Sequence, residues 1–214
     1  MPKKKHAPEG VTVVDHPIVR ARLTRLRDKN TQPAEFRRLV RELAMLMVFE
    51  ATRSLETMPA HVETPLAAYE GKALARPIII APILRAGLGM ADGVHYLIPE
   101  ASTAHIGIQR DEKTALPESY YMHLPPGIEA ADVLLVDPML ATGGSAIAAV
   151  TSMRKAGAKS IRFICLVSCV TGVERLRAAH PDVPIFTAEI DPTLNERSYI
   201  VPGLGDAGDR YFGT

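Results

Sequence analysis

Between residues 34 and 56 the apolar positions Phe36, Leu39, Val40, Leu43, Met47, Val48, Ala51 and Leu55 recur every three or four residues, with polar residues between them. That spacing predicts one amphipathic helix running from Ala34 to Glu56. Pro33 suits its start, because a fixed φ and a missing N–H cost nothing in a first helical turn. The methionines on this stripe belong to the core and need no cofactor to explain them. Beyond it the pattern shortens to apolar runs at PIIIAPI, TAHIGI, DVLLVD, SIRFICLV and VPIFTAEI, several of them rich in β-branched residues that favour strands. Helical stretches LGMADGVHYL, SAIAAVTSMRKAG and GVERLRAAH fall between some of these runs. Near-continuous apolar strands alternating with helices predict an α/β fold with a largely parallel sheet covered on both faces. Such sheets bind ligands beyond the carboxyl ends of their strands.

Two segments interrupt the alternation. Gln109 to Asp132 is charged and proline-bearing, and reads as a long binding loop or lid. Asp191 to Thr214, rich in glycine and turn residues, reads as a terminal coil. A strand or helix abuts each of them, so neither is an interdomain linker. The expectation is a single domain over residues 1–214, with residues 1–10 as a flexible tail.

Charge narrows the possibilities. With 25 Lys and Arg against 24 Asp and Glu there is no bulk positive field to draw the chain onto nucleic acid or anionic lipid, so any anion site must be local. The basic run Lys3 to Lys5 reads as a solvated chain end. No apolar run approaches the roughly 18 residues of a membrane span, and the N-terminus lacks the apolar segment of a signal peptide. A cytoplasmic protein with no membrane partner is expected. Cys165 and Cys169 fall on one strand, where four residues span about 13 Å, against the roughly 7 Å that a disulfide allows between Cα atoms. They read as buried thiols unless the chain bends after Val167. The histidines are scattered, with neither HExxH nor a paired metal spacing, and no residue is assigned as a metal ligand.

The chemistry gathers in DPMLATGGS, Asp137 to Ser145. Asp137 stands at the carboxyl end of a buried strand, and a helix follows from about Ser145. A helix start exposes unpaired N–H groups and a positive dipole end, which together attract an anion. Gly143 and Gly144 let a phosphate approach the backbone, and Thr142 and Ser145 add hydroxyl donors. The same residues also fit a plain tight turn with Ser145 as the cap and nothing bound. A Walker A loop requires a lysine after the last glycine, which is missing; a nucleophile elbow requires a final glycine where Ile147 stands; GxGxxG is absent.

What remains resembles the phosphoribosyl diphosphate (PRPP) loop of type I phosphoribosyltransferases. Its form with Asp137 followed by Pro138, where most of that superfamily carries a second acid, is similar to the uracil phosphoribosyltransferase family in particular. FEATRSLET, PILRAGLGM, RDEKT, AHPDV and YIVPGLGDAGDRYFGT extend the resemblance over nearly the whole chain. It implies the type I phosphoribosyltransferase fold, with a flap loop and a C-terminal base-binding loop, and an enzyme that makes UMP and diphosphate from uracil and PRPP.

By the same resemblance, PRPP contacts fall to Arg85, Arg110, Asp206 and the loop Asp137, Pro138, Met139, Leu140, Ala141, Thr142, Gly143, Gly144 and Ser145. Uracil contacts fall to Tyr199, Ile200, Gly205, Asp206 and Ala207, with Arg110 and Asp206 as the catalytic pair. Mg2+ is implied with PRPP, GTP as an effector, and a homo-oligomer without nucleic acid. The residues themselves are compatible with these roles. Arg85 leaves the end of an apolar strand with a planar fork that suits a diphosphate, although a lone arginine there also serves as a surface charge. Arg110 opens a charged segment that otherwise reads as solvated loop. An alternative from another class is a regulator that keeps the fold to sense PRPP or nucleotides with RNA as partner; a phosphate-loop kinase is disfavoured by the missing lysine.

Overall fold

A computed structural model describes residues 8–110 and 117–214, without the side chains of 109, 110 and 117–119. The Lys3–Lys5 run, most of the expected tail and the segment 111–116 lie outside the described residues. β1 (Val11–Val13) leads into α1 (Pro17–Arg27) and α2 (Pro33–Ala51), and β2 (Thr57–Glu63) and β3 (Ala68–Leu74) form a separate antiparallel hairpin. Then come β4 (Ile78–Leu84), α3 (Leu88–Leu97), the short β5 (Ser102–Thr103), β6 (His105–Arg110) and β7 (Pro117–His123). After β8 (Asp132–Val136) follow the short β9 (Met139–Leu140), α4 (Gly144–Lys155), β10 (Ser160–Cys169), α5 (Val170–Ala179) and β11 (Ile185–Asp191). β12 (Thr193–Leu194), β13 (Ile200–Val201) and α6 (Ala207–Phe212) close the chain.

The main sheet has the order β1-β11-β10-β8-β4-β6-β7, with β5 beside β4 and β9 beside β10. Its neighbours pair in parallel except β6 with β7. Side chains alternate between the two faces, as a pleated strand requires. Ile78, Ile80, Leu134, Val136, Ile164 and Leu166 share a core with α1, α2 and α3. Ile79, Ala81, Ile83, Val133, Leu135, Phe163 and Cys165 share the other with α4 and α5. Burial on both faces is why the middle of these strands reads as a continuous apolar run, and each large side chain so buried contributes about 1.5–3 kcal/mol. An acid at Leu134 or Leu135, both fully buried, would leave a charge with no partner and break the sheet at its centre.

The structure departs from expectation in three places. α2 ends at Ala51, not Glu56. The Thr52 hydroxyl donates to the Val48 carbonyl at 2.7 Å as the chain turns, and Leu55 reaches the core from beyond that turn. The apolar period thus outlasts the helix. Part of the expected loop Gln109–Asp132 is strand, since β7 pairs with β6 from Pro117 onward. The expected terminal coil holds a two-stranded ladder, β12 with β13, and the short helix α6. The two cysteines are free, buried and on one continuous strand, as expected.

Candidate active site at the carboxyl edge of the sheet

β4 and β8 are adjacent and in register through Pro82 and Val136, so their carboxyl ends deliver Arg85 and Asp137 to the same edge. After β4 the chain passes to the face carrying α3, and after β8 to the face carrying α4. Connections that diverge in this way leave a crevice between the two strand ends, the usual ligand position in a parallel sheet. A cleft of about 210 Å³ lies there, lined by Arg85, Ala86, Asp137, Met139, Asp206, Ala207 and Gly208. Three predicted polar residues from widely separated parts of the chain therefore share one lining.

Each of the three is held differently. Arg85, which follows a cis Leu84–Arg85 peptide, pairs with Asp209 at 3.5 Å and lies 6.0 Å from the centre of the Phe212 ring. Both of those partners belong to α6. Asp206 caps α6, its Oδ1 accepting the Asp209 N–H at 2.9 Å. Asp137 accepts one long bond, 3.4 Å from the Met139 N–H. Burial pushes its carboxyl up to about 7, against which the Met139 bond acts only weakly. Part of the residue still faces the cleft, so hydroxyl groups of a ligand could donate to it and favour the ionised form.

The turn after Asp137 is stitched to β10: the Leu166 and Val167 N–H groups both donate to the Pro138 carbonyl at 3.0 Å, and Leu140 pairs with Ser168. The cap of α4 is Gly143 in the left-handed region, φ 82°, not Ser145, and no side chain caps the helix. Of the two glycines in the turn, Gly143 carries the positive φ and Gly144 does not. Gly143 has no side chain to cap α4, so the start of the helix offers its first N–H groups as an anion would need them.

This turn rests on the first part of α5. Gly172 packs so closely that a Cβ would stand 2.7 Å from the Leu140 carbonyl oxygen and closer still to that of Ala141. Arg175 donates from Nη1 to the Thr142 carbonyl at 2.8 Å. Sequence reasoning missed both residues, because they lie about thirty positions downstream and only β10 returns them to the loop. A GxxR spacing at a helix start offers no signal of its own.

The C-terminal loop is tied down at longer range. Arg27 grips Asp191 through two nitrogens, at 2.8 and 2.9 Å, and donates to the Gly203 carbonyl at 2.9 Å, while the Gly203 N–H donates to Asp191 at 3.0 Å. Arg210 donates to the carbonyls of Leu204 and Asp28, at 2.8 and 2.6 Å, with its guanidinium 4.5 Å from the centre of the Phe36 ring. Of the predicted uracil contacts, Asp206 and Ala207 line the cleft. Gly205 precedes them. Ile200 is buried in the core, so its main chain is what it can offer a ligand, and Tyr199 is exposed. Pro138, Leu140, Ala141, Thr142, Gly143, Gly144 and Ser145 are not part of the lining of this cleft and lead from it to the start of α4. Arg110 ends β6, and its side chain lies outside the described residues.

The fold is that of the type I phosphoribosyltransferases, and the cleft lies where such a sheet binds its ligands. A purine phosphoribosyltransferase structure from Pyrococcus horikoshii shares the fold at TM-score 0.50 and 17% identity, over 71% of this chain and 82% of that one. A solved protein from Aquifex aeolicus superposes at TM-score 0.91 with 30% identity, covering 95% of this chain and 98% of the other. A sequence profile described as uracil phosphoribosyltransferase matches residues 13–214. Proteins of that name from Dictyoglomus thermophilum and Caulobacter sp. (strain K31) are 54% and 52% identical, over 95% and 96% of this chain and 99% of each relative. The chain belongs to the uracil phosphoribosyltransferase family.

Proposed function

We propose that this enzyme is a pentosyltransferase that moves the phosphoribosyl group of PRPP to uracil, giving UMP and diphosphate in pyrimidine salvage. The observation that carries the reading is the common cleft of Arg85, Asp137 and Asp206 at the carboxyl edge of the sheet. As the C1–O bond loosens, positive charge grows on the ribose and negative charge on the leaving diphosphate. The protein must hold the 5'-phosphate, neutralise the departing group and keep the base nitrogen near C1. The turn from Pro138 to Ser145, with the uncapped start of α4, suits the 5'-phosphate. Asp137 suits the ribose hydroxyls, and Arg85 and Arg110 suit the diphosphate. Main-chain groups from Tyr199 to Ala207 would supply the donors and acceptors for the alternating carbonyl and N–H pattern of uracil. No covalent nucleophile is required.

Mg2+ enters this proposal with PRPP, where it would offset diphosphate charge. Among the described residues no group of three or more His, Cys, Asp or Glu forms a metal cage. Magnesium typically takes one or two carboxylates together with substrate phosphates, a demand that Asp206 at the cleft can meet. A homo-oligomer is supported by the β2–β3 hairpin, which exposes Met58, Val62, Leu66 and Tyr69. GTP as effector and a cytoplasmic location rest on the family resemblance; no described helix is long and apolar enough to cross a membrane.

The test is to incubate the protein with Mg2+, PRPP and single nucleobases, following nucleotide and diphosphate. UMP from uracil is expected, and its absence overturns the proposal.

A further inference from the structure

The turn from Asp137 to Ser145 contains neither lysine nor arginine. Its pull on a phosphate depends on hydroxyl groups and on where its peptide N–H groups point. In a trans peptide the C=O and the following N–H point in opposite directions. Holding the Thr142 carbonyl toward α5 therefore turns the Gly143 N–H away from α5. Arg175 does this, donating from Nη1 to the Thr142 carbonyl at 2.8 Å. The peptide it holds is the one that enters Gly143, where the backbone takes φ 82° and caps α4 without help from any side chain. A Cβ on Gly143 would stand 3.0 Å from the Gly172 carbonyl and 3.5 Å from the Arg175 Cβ, so this part of α5 forms the floor of the turn. Arg175 itself is exposed and belongs to neither buried core.

We infer that Arg175 is a positioning residue for the 5'-phosphate of PRPP: it orients the Thr142–Gly143 peptide and supplies the positive charge that the turn lacks. The inference rests on the reading of Asp137–Ser145 as the phosphate loop. Arg175 acts through the loop and lies apart from the uracil side of the cleft, so its effect should fall on PRPP alone.

The experiment measures steady-state constants for Arg175→Ala, Arg175→Lys and, as a probe of the loop itself, Ser145→Ala. Losing one charge-assisted bond at an exposed position predicts a KM for PRPP raised about five- to tenfold in Arg175→Ala. Its kcat and its KM for uracil should stay within about twofold of the parent. Lysine keeps a donor and the charge, and should return the PRPP value to within about threefold. A KM for PRPP unchanged in Arg175→Ala but raised in Ser145→Ala overturns the role of Arg175 and leaves the loop reading intact. Unchanged PRPP values in both variants overturn the loop reading as well. Parallel changes in kcat and both KM values, unrelieved by lysine, would assign Arg175 a general structural role and overturn the inference.

Discussion

The phosphate-side turn and the C-terminal loop meet at the same cleft but are built on opposite plans. Asp137 to Ser145 is one contiguous stretch, shaped by the end of β8, the pairing of β9 with β10 and the start of α4. The C-terminal loop holds its shape through partners far away in sequence: Arg27 to Asp191 and Gly203, Arg210 to Asp28, and Arg37 to the Tyr211 carbonyl at 2.9 Å. The remote support of the turn comes from one neighbouring unit, β10 and the start of α5, whereas the C-terminal loop is tied to several separate elements. Loss of one tether should therefore cost the C-terminal loop both stability and base recognition, while PRPP recognition should follow the packing of α5 against the turn.

The strongest way to break this contrast is Asp191→Ala. Asp191 is nearly inaccessible and is the sole carboxylate bound to Arg27 among the described contacts. Removing one member of a buried ion pair costs about 3–5 kcal/mol. Chemical denaturation should show that loss, and the KM for uracil should rise more than that for PRPP. A stable variant with normal uracil affinity would mean that the loop is held in other ways.

Gly172→Ala probes the other plan and should have the next largest effect. Its Cβ would press on the Leu140 and Ala141 carbonyls, backbone atoms that can move only by distorting the turn. Overpacking of this kind costs about 1–3 kcal/mol. PRPP affinity should fall with uracil affinity preserved, as measured by initial rates with each substrate varied in turn.

Asp137→Asn should act on stability with the opposite sign, and only where the parent carboxyl is ionised. The folded carboxyl titrates near 7 and the unfolded one near 3.8. The native state therefore holds a proton that the unfolded state has released, and stability falls as pH rises from about 4 to 7. Above 7 the cost of the buried charge is fully present, about 2 kcal/mol after allowing for partial exposure. The asparagine variant should melt above the parent at pH 8.5, and the two should converge near pH 4. Its affinity for PRPP should nonetheless be weaker, because an amide is a poorer acceptor for ribose hydroxyls.

The same contrast explains how much could be read in advance. β4 and the middle of β8 and β10 are buried on both faces, so IIIAPIL, VLLV and FICLV are apolar without interruption and announce a parallel sheet. Asp137, Gly143 and Ser145 are neighbours in sequence as well as in space, so the turn shows itself in nine residues. The β2–β3 hairpin does not: TMPAHVE and AYEGKAL are largely exposed on both faces, contain Pro59 and Gly71, and carry no period. Leu55 extended the helical pattern past the real end of α2 because packing, not helix, keeps it apolar. The supports of the C-terminal loop are arginines spread from Arg27 to Arg210, each of which alone looks like a surface charge. Only the fold gives them common purpose.

The placement of Cys165 has a practical consequence. It sits fully buried on a central strand, with burial pushing its thiol up to about 12, an effect that the nearby Asp137 charge reinforces and the Thr187 contact opposes. A thiol both inaccessible and protonated is inert to alkylating reagents while the strand stays in place. The rate at which a reagent modifies Cys165 thus becomes a clock for opening of the molecule's innermost layer. Read with and without PRPP, that clock would report how far substrate binding at the edge of the sheet slows breathing at its centre, with no engineered probe.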